Sequence, residues 1–133
     1  MMNKLEISIH SEISNISSIE HFIDEFFVVF NLSFELYGRV SLSVIEAVNN
    51  AIIHGNERDC NKSVTLIAEK SDHLLKVTVI DQGKGFNYKN IPDPTSLDSV
   101  ATLTGRGLYL MKTLSDQLIF ENNGSEVSLI FIL

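Results

Sequence analysis

The sequence holds one cysteine, Cys60, and two prolines among 133 residues. A lone thiol excludes an internal disulfide, and no CxxC pair or Cys/His cluster surrounds it, so no zinc-type site is expected there. Long apolar runs are also missing. The densest, Phe26-Phe27-Val28-Val29-Phe30, is bracketed by Asp24, Glu25 and Asn31 and falls well short of the ~18 residues that span a bilayer. The opening Met1-Met2-Asn3-Lys4-Leu5-Glu6 puts charge inside what would be an h-region, so no signal peptide is expected and a cytoplasmic location is. Basic residues are scarce: ten Lys and Arg stand against 17 Asp and Glu, a net charge of −7. An acidic chain of this kind repels phosphate backbones and anionic lipid, which disfavours nucleic acid and membrane as partners.

What is present suits a single globular domain over 1–133, with 44% hydrophobic and 20% charged residues, enough for one sizeable core. Leu5, Ile7 and Ile9 alternate with polar residues as a half-buried strand does. Ile19, Phe22, Ile23, Phe26, Phe27 and Phe30 follow helical spacing, with Ser17 and Glu20 placed as a capping box. A second helix is expected over roughly 34–54, with Val44, Ile45, Val48, Ala51 and Ile52 on its apolar face and Gly55 to stop it. Val64–Glu69 and Leu74–Ile80 form a hairpin pattern. An irregular stretch over about 81–104 contains both prolines. Leu108, Met111 and Leu114 then mark a third helix, and Gln117–Glu121 with Val127–Leu133 a closing hairpin around Asn122-Asn123-Gly124. The order β-α-α-β-β-loop-α-β-β lacks the alternation of a doubly wound parallel sheet. It predicts an α+β two-layer sandwich, a mostly antiparallel sheet with three helices on one face.

Three local features could carry chemistry. Glu46, Asn50 and His54 recur every four residues along the second helix, with Asn49 beside them. Such a stripe can simply face water, and Ser43 with Glu46 could instead cap a later helix start, although the apolar periodicity begins before Ser43. The functional alternative is a carboxylate and an amide oxygen facing one cavity, the amide suited to Mg²⁺ and the carboxylate to deprotonating a hydroxyl. Asp81-Gln82-Gly83-Lys84-Gly85 follows a strand directly. It can be a plain turn, or a carboxylate fixed in a cleft where glycines let a planar base come close; an acceptor-only group favours a ligand N–H such as the adenine amino group. Thr104-Gly105-Arg106-Gly107-Leu108 opens the third helix. The glycines can serve a tight turn, or free N–H groups and the positive dipole end can hold phosphate, with Arg106 adding charge.

Taken together, Glu46-x-x-x-Asn50-Ala51-x-x-His54-Gly55, then Asp81-x-Gly83-x-Gly85-Phe86, then Gly105-x-Gly107-Leu108 stand in the order of the N, G1 and G2 boxes. The chain thus resembles the GHKL ATPase family, which includes gyrase and histidine kinases, and within it the small anti-sigma factor serine/threonine-protein kinases of the stress-response and sporulation type. The resemblance extends over essentially the whole chain and implies a Bergerat ATP-binding fold. It implies that Asp81 holds the adenine amino group, Asn50 ligates Mg²⁺, and Glu46 is the general base. Gly83, Gly85, Gly105, Gly107 and Leu108 would shape the adenine and phosphate walls, with Arg106 at the phosphates, and 87–104 would be a short ATP lid. Near the last strand Gly124-Ser125 stands where the family usually has Gly-Thr, and the Ser125 hydroxyl can still bond nucleotide. Asn87 follows Phe86 where members often carry Asp, and Asn49 stands where Thr is common; neither departure removes a named group. The resemblance further implies an anti-sigma factor that phosphorylates a serine on a small STAS-type antagonist, and a homodimer. A binding module that uses ATP only to set its shape is the alternative. A detached histidine-kinase catalytic domain would need a dimerisation helix pair with a phospho-accepting histidine, and neither His10 nor His21 lies in one.

Overall fold

The computed structural model describes residues 3–85 and 103–133, with side-chain placement from residue 106 in the second segment. Alternation of apolar residues produces strand β1, Lys4–His10. Helix α1 covers Ile16–Val29, and its Ile19, Phe22, Ile23, Phe26 and Phe27 are buried on one stripe, as 3.6-residue periodicity requires. Phe26 is the hub of this stripe, edge-on to Phe22 at 5.5 Å and 5.6 Å from Phe27 between ring centroids. Each such ring removed from water is worth about 1.5–3 kcal/mol, so α1 is held by its phenylalanines. The expected Ser17–Glu20 capping box does not form. A 3₁₀ turn over Ile13–Asn15 runs straight into α1, which places Ser17 inside the first turn, and no side chain caps the helix.

Helix α2 spans Tyr37–Asn50, entered through a 3₁₀ turn at Phe34–Leu36 whose Ser33 hydroxyl accepts the Glu35 N–H. Ser43 lies in its interior, its hydroxyl donating to the Arg39 carbonyl at 2.7 Å, so Ser43 and Glu46 do not mark a helix start. The α-helical pattern stops at Asn50 rather than continuing to 54. Ala51–Gly55 form a π-turn, closed by the Asn56 N–H on the Ala51 carbonyl at 2.8 Å. Strands β2 (Ser63–Lys70) and β3 (Leu74–Ile80) make the expected hairpin. Helix α3 covers Leu103–Leu114, followed by β4 (Gln117–Glu121) and β5 (Glu126–Ile132). The segment expected to be a lid, 87–104, lies outside the described residues except for 103 and 104, which belong to α3.

The five strands form one antiparallel sheet in the order β1-β2-β3-β5-β4. Its inward residues, among them Leu66, Val77, Leu129 and Phe131, share one buried core with Phe26, Val44, Val48 and Met111 of the helices. The predicted α+β two-layer sandwich is the observed architecture. Helix α2 is central: it packs on α1, on α3, and on β3 and β5. Its polar stripe therefore faces the groove along α3, and its π-turn ends beside the end of β3.

Candidate functional site

Between α2, α3 and the β3–β5 part of the sheet lies a cleft of about 170 Å³, lined by Asn50, His54, Gly55, Asp81, Leu108 and Ser125 over a floor of apolar residues that includes Val79, Met111 and Val127. A mostly apolar cleft with a few polar side chains in its lining suits an aromatic base. The three features that are far apart in sequence thus converge on one site.

Asp81 is fixed at the end of β3 by bonds on both sides. Its N–H donates to the Ser125 carbonyl at 2.9 Å, and its Oδ1 accepts the Gly83 N–H at 2.8 Å. Burial pushes its carboxyl above the usual range, against the smaller lowering effects of the Gly83 N–H and the Lys62 charge. A half-desolvated carboxylate with lone pairs to spare gains more than an exposed one from a ligand donor. The glycines around it are required by contact. A Cβ at Gly55 would run into the Asp81 carboxylate, and one at Gly83 into the Gly55 carbonyl. Gly85 has φ +85° and its α-carbon abuts the Asn123 backbone, so both conformation and space exclude a side chain.

Deeper along α2, Glu46 and Asn50 meet α3 at Gly107. A Cβ there would sit 3.0 Å from Glu46 Oε2 and 3.4 Å from Asn50 Nδ2. Glu46 is half-buried. Among the described residues the Asn50 Nδ2 is buried without a hydrogen-bond partner. An orphaned buried amide costs about 1–3 kcal/mol, and a half-turn of its side chain exchanges nitrogen for oxygen. The group is therefore suited to a ligand phosphate in one orientation and to a hard cation in the other. Among the described residues no group of three or more His, Cys, Asp or Glu could hold a metal; a cation at Asn50 would be shared with phosphates, the usual arrangement for Mg²⁺.

Gly105 and Gly107 fall in the first turns of α3, with Gly107 and Leu108 buried and Arg106 exposed. Leu108 lines the cleft, whereas Arg106 is not among the residues that do. The Ser125 hydroxyl donates to the Asn122 carbonyl at 2.9 Å and stands at the cleft wall.

Two residues here were not legible in advance. Gly55, expected to stop α2, instead closes the π-turn that follows α2 and makes room for Asp81. Asn56 is fully buried and bonds the loop after Asp81, its Oδ1 accepting the Gln82 N–H at 2.7 Å. An Asn after a helix-stopping Gly has the sequence signature of a surface turn, so no local signal separates it from one.

The family described as histidine kinase-like ATPase domain matches residues 9–131. Among curated proteins, the chain is 39% identical over 77 residues to an anti-sigma F factor of Lysinibacillus sphaericus, covering 56% of this chain and 53% of that one. It is 31% identical over 90 residues to the serine-protein kinase RsbW of Bacillus subtilis, covering 63% and 56%. The matched stretches thus span little more than half of each relative. Among solved structures, a Mycobacterium tuberculosis protein carrying RsbU and RsbW domains superimposes with a TM-score of 0.68 at 15% identity, over 98% of this chain and 32% of that one. At that identity the likeness speaks for the fold alone.

Proposed function

The chain belongs to the histidine kinase-like ATPase family, and from that premise we propose that it is an anti-sigma factor with ATP-dependent protein-serine kinase activity, acting on a small STAS-type antagonist. The observation that carries this reading is the meeting of Glu46 and Asn50 at Gly107, with Asn50 also lining the cleft that holds the half-buried Asp81. A base-sized apolar hole with an acceptor at its rim, continued by a carboxylate and an unpartnered amide, matches adenine, phosphates and a hydroxyl to be deprotonated.

In this reading Asp81 accepts the adenine amino group, and Val79 and Met111 bury the ring faces. The N-terminal turn of α3 holds phosphate through its free N–H groups, with Gly107 giving close approach and Arg106 adding positive charge. Ser125 reaches the nucleotide from the opposite wall. Asn50 would hold Mg²⁺, which would neutralise developing phosphate charge. The antagonist serine attacks the γ-phosphorus as the bond from that phosphorus to the bridging oxygen of ADP breaks. Glu46 takes up the hydroxyl proton. Partners are a sigma factor and the antagonist, exchanged on one surface according to the nucleotide bound; the chain works as a homodimer in the cytoplasm. Among the described residues no helix is long and apolar enough to cross a membrane.

The test is radiolabel transfer from γ-labelled ATP to a candidate antagonist, beside ATP binding by calorimetry. Transfer to a single serine that requires Mg²⁺ supports the kinase. Tight ATP binding with no transfer to any antagonist would assign the chain to nucleotide-gated binding modules instead.

A further inference from the structure

Asn56 has no place in the chemistry just described, yet it is at 0% exposure and both its side-chain nitrogen and its side-chain oxygen are hydrogen-bonded. Its Nδ2 donates to Ser11 Oγ at 2.6 Å and to the Ser63 carbonyl at 2.8 Å. Its Oδ1 accepts the Gln82 N–H at 2.7 Å. One amide therefore joins the chain after β1, the start of β2 and the loop after β3. The Gln82 side chain closes the circuit, its Oε1 accepting the Ser63 N–H at 2.7 Å. The Asn56 N–H itself closes the π-turn on Ala51. That turn sets Gly55 against the Asp81 carboxylate. Beyond it, Glu57 and Arg58 both take left-handed backbone angles, φ 54° and 61°, which are unfavourable for side chains with a Cβ. Strain of this kind persists only where the surroundings over-determine it.

We propose that Asn56 is the positioning residue for the Asp81 carboxylate, fixing from the π-turn side the loop that reads the base. This rests on Asp81 being the adenine acceptor. Asn56 touches neither base nor phosphate; it acts by holding the peptide immediately after Asp81 before any nucleotide arrives. The carboxylate meets the adenine amino group without first ordering its loop, and meets a C6 carbonyl, as in hypoxanthine, with an acceptor that cannot turn away. Removing the hold weakens the favourable contact and relaxes the unfavourable one together.

The experiment measures ATP and ITP affinity by calorimetry for the unmutated chain, Asn56→Ala and Ser11→Ala. The unmutated chain should prefer ATP by about tenfold or more, as expected of a charged hydrogen bond exchanged for an acceptor clash. Asn56→Ala should shrink that ratio by about fivefold or more. Ser11→Ala removes a partner of the same amide on the side away from Asp81 and should lower thermal stability while leaving the ratio within about twofold. A folded Asn56→Ala protein with the original ratio overturns the proposal. Hydrogen exchange gives a second readout that depends on no variant: the Gln82 amide should be protected in the nucleotide-free chain, and exchange at the rate of an open loop overturns the proposal equally. Equal binding of ATP and ITP by the unmutated chain is a separate outcome, which overturns the Asp81 assignment and the positioning role with it.

Discussion

Glu46 and Gly107 face each other so closely that a methyl group on Gly107 would stand 3.0 Å from Glu46 Oε2. Helix α3 can approach the carboxylate only because it carries a hydrogen there. Alanine is otherwise the better helix residue, by about 0.8–1 kcal/mol. Gly107→Ala should therefore leave the melting temperature within a few degrees of the original while displacing Glu46. Phosphoryl transfer should fall by at least about tenfold, since misplacing a reacting group by a fraction of an ångström already costs that much. Thermal melts and transfer rates on the same variant check both halves. Undiminished transfer would show that Glu46 need not hold this position.

The roles of Glu46 and Asn50 separate by their chemistry. Glu46→Ala removes a proton acceptor and should leave ATP binding nearly intact while transfer falls by ~10²–10⁴. Asn50→Ala removes the orphaned amide and should weaken Mg²⁺-dependent ATP binding as well as transfer. It should also raise the stability of the nucleotide-free chain slightly, because a buried amide without a partner is lost. Calorimetry with and without Mg²⁺, beside the transfer assay, distinguishes the two. Normal transfer by Glu46→Ala would end its assignment as the base.

Strand and helix positions were legible because burial follows period: β1 alternates and α1 repeats its phenylalanines at helical spacing. Asp81, Glu46 and Asn50 were legible as candidates through box order, since each box alone is also compatible with a turn or a solvated stripe. What could not be read is whatever tertiary contact decides. Ala51-Ile52-Ile53-His54 continues the apolar helical pattern, yet with Gly55 it winds as a π-turn, next to an Asn56 held by Ser11 after β1, Ser63 at the start of β2 and Gln82 after β3. The Ser17–Glu20 box failed for a local reason: the preceding 3₁₀ turn set the helix start earlier.

Gly85 ties the loop after β3 to the turn between β4 and β5. Its φ of +85° and its contact with the Asn123 carbonyl make Gly85→Ala costly on two counts, left-handed strain and collision with backbone that cannot rotate away. A loss of about 2–3 kcal/mol is expected, read as a fall in the urea midpoint with unchanged slope. A loss under about 0.5 kcal/mol would mean that the two segments part easily.

Asp81 should set function against stability. Burial raises its carboxyl above the ordinary value, so the folded chain holds that proton more readily than the unfolded chain does. Below the ordinary carboxylate value, near 4, the group is neutral in both states and costs nothing. As pH rises through the raised folded value, the charged form must be kept half-buried and stability is lost. Asp81→Asn stays neutral throughout, and its oxygen can still accept the Gly83 N–H. In the absence of nucleotide the variant should therefore melt higher than the original at pH 7, on the order of 1–3 °C given the partial exposure of the group. The difference should vanish as the pH is lowered towards 4. With ATP present the order reverses. Losing a charged hydrogen bond, about 1.5–3 kcal/mol, weakens binding ten- to a hundredfold, and ligand stabilisation falls with it. Melting curves across pH with and without ATP test both statements. A variant that melts lower than the original at pH 7 without nucleotide would mean that the carboxylate is stabilised by its surroundings rather than strained by them.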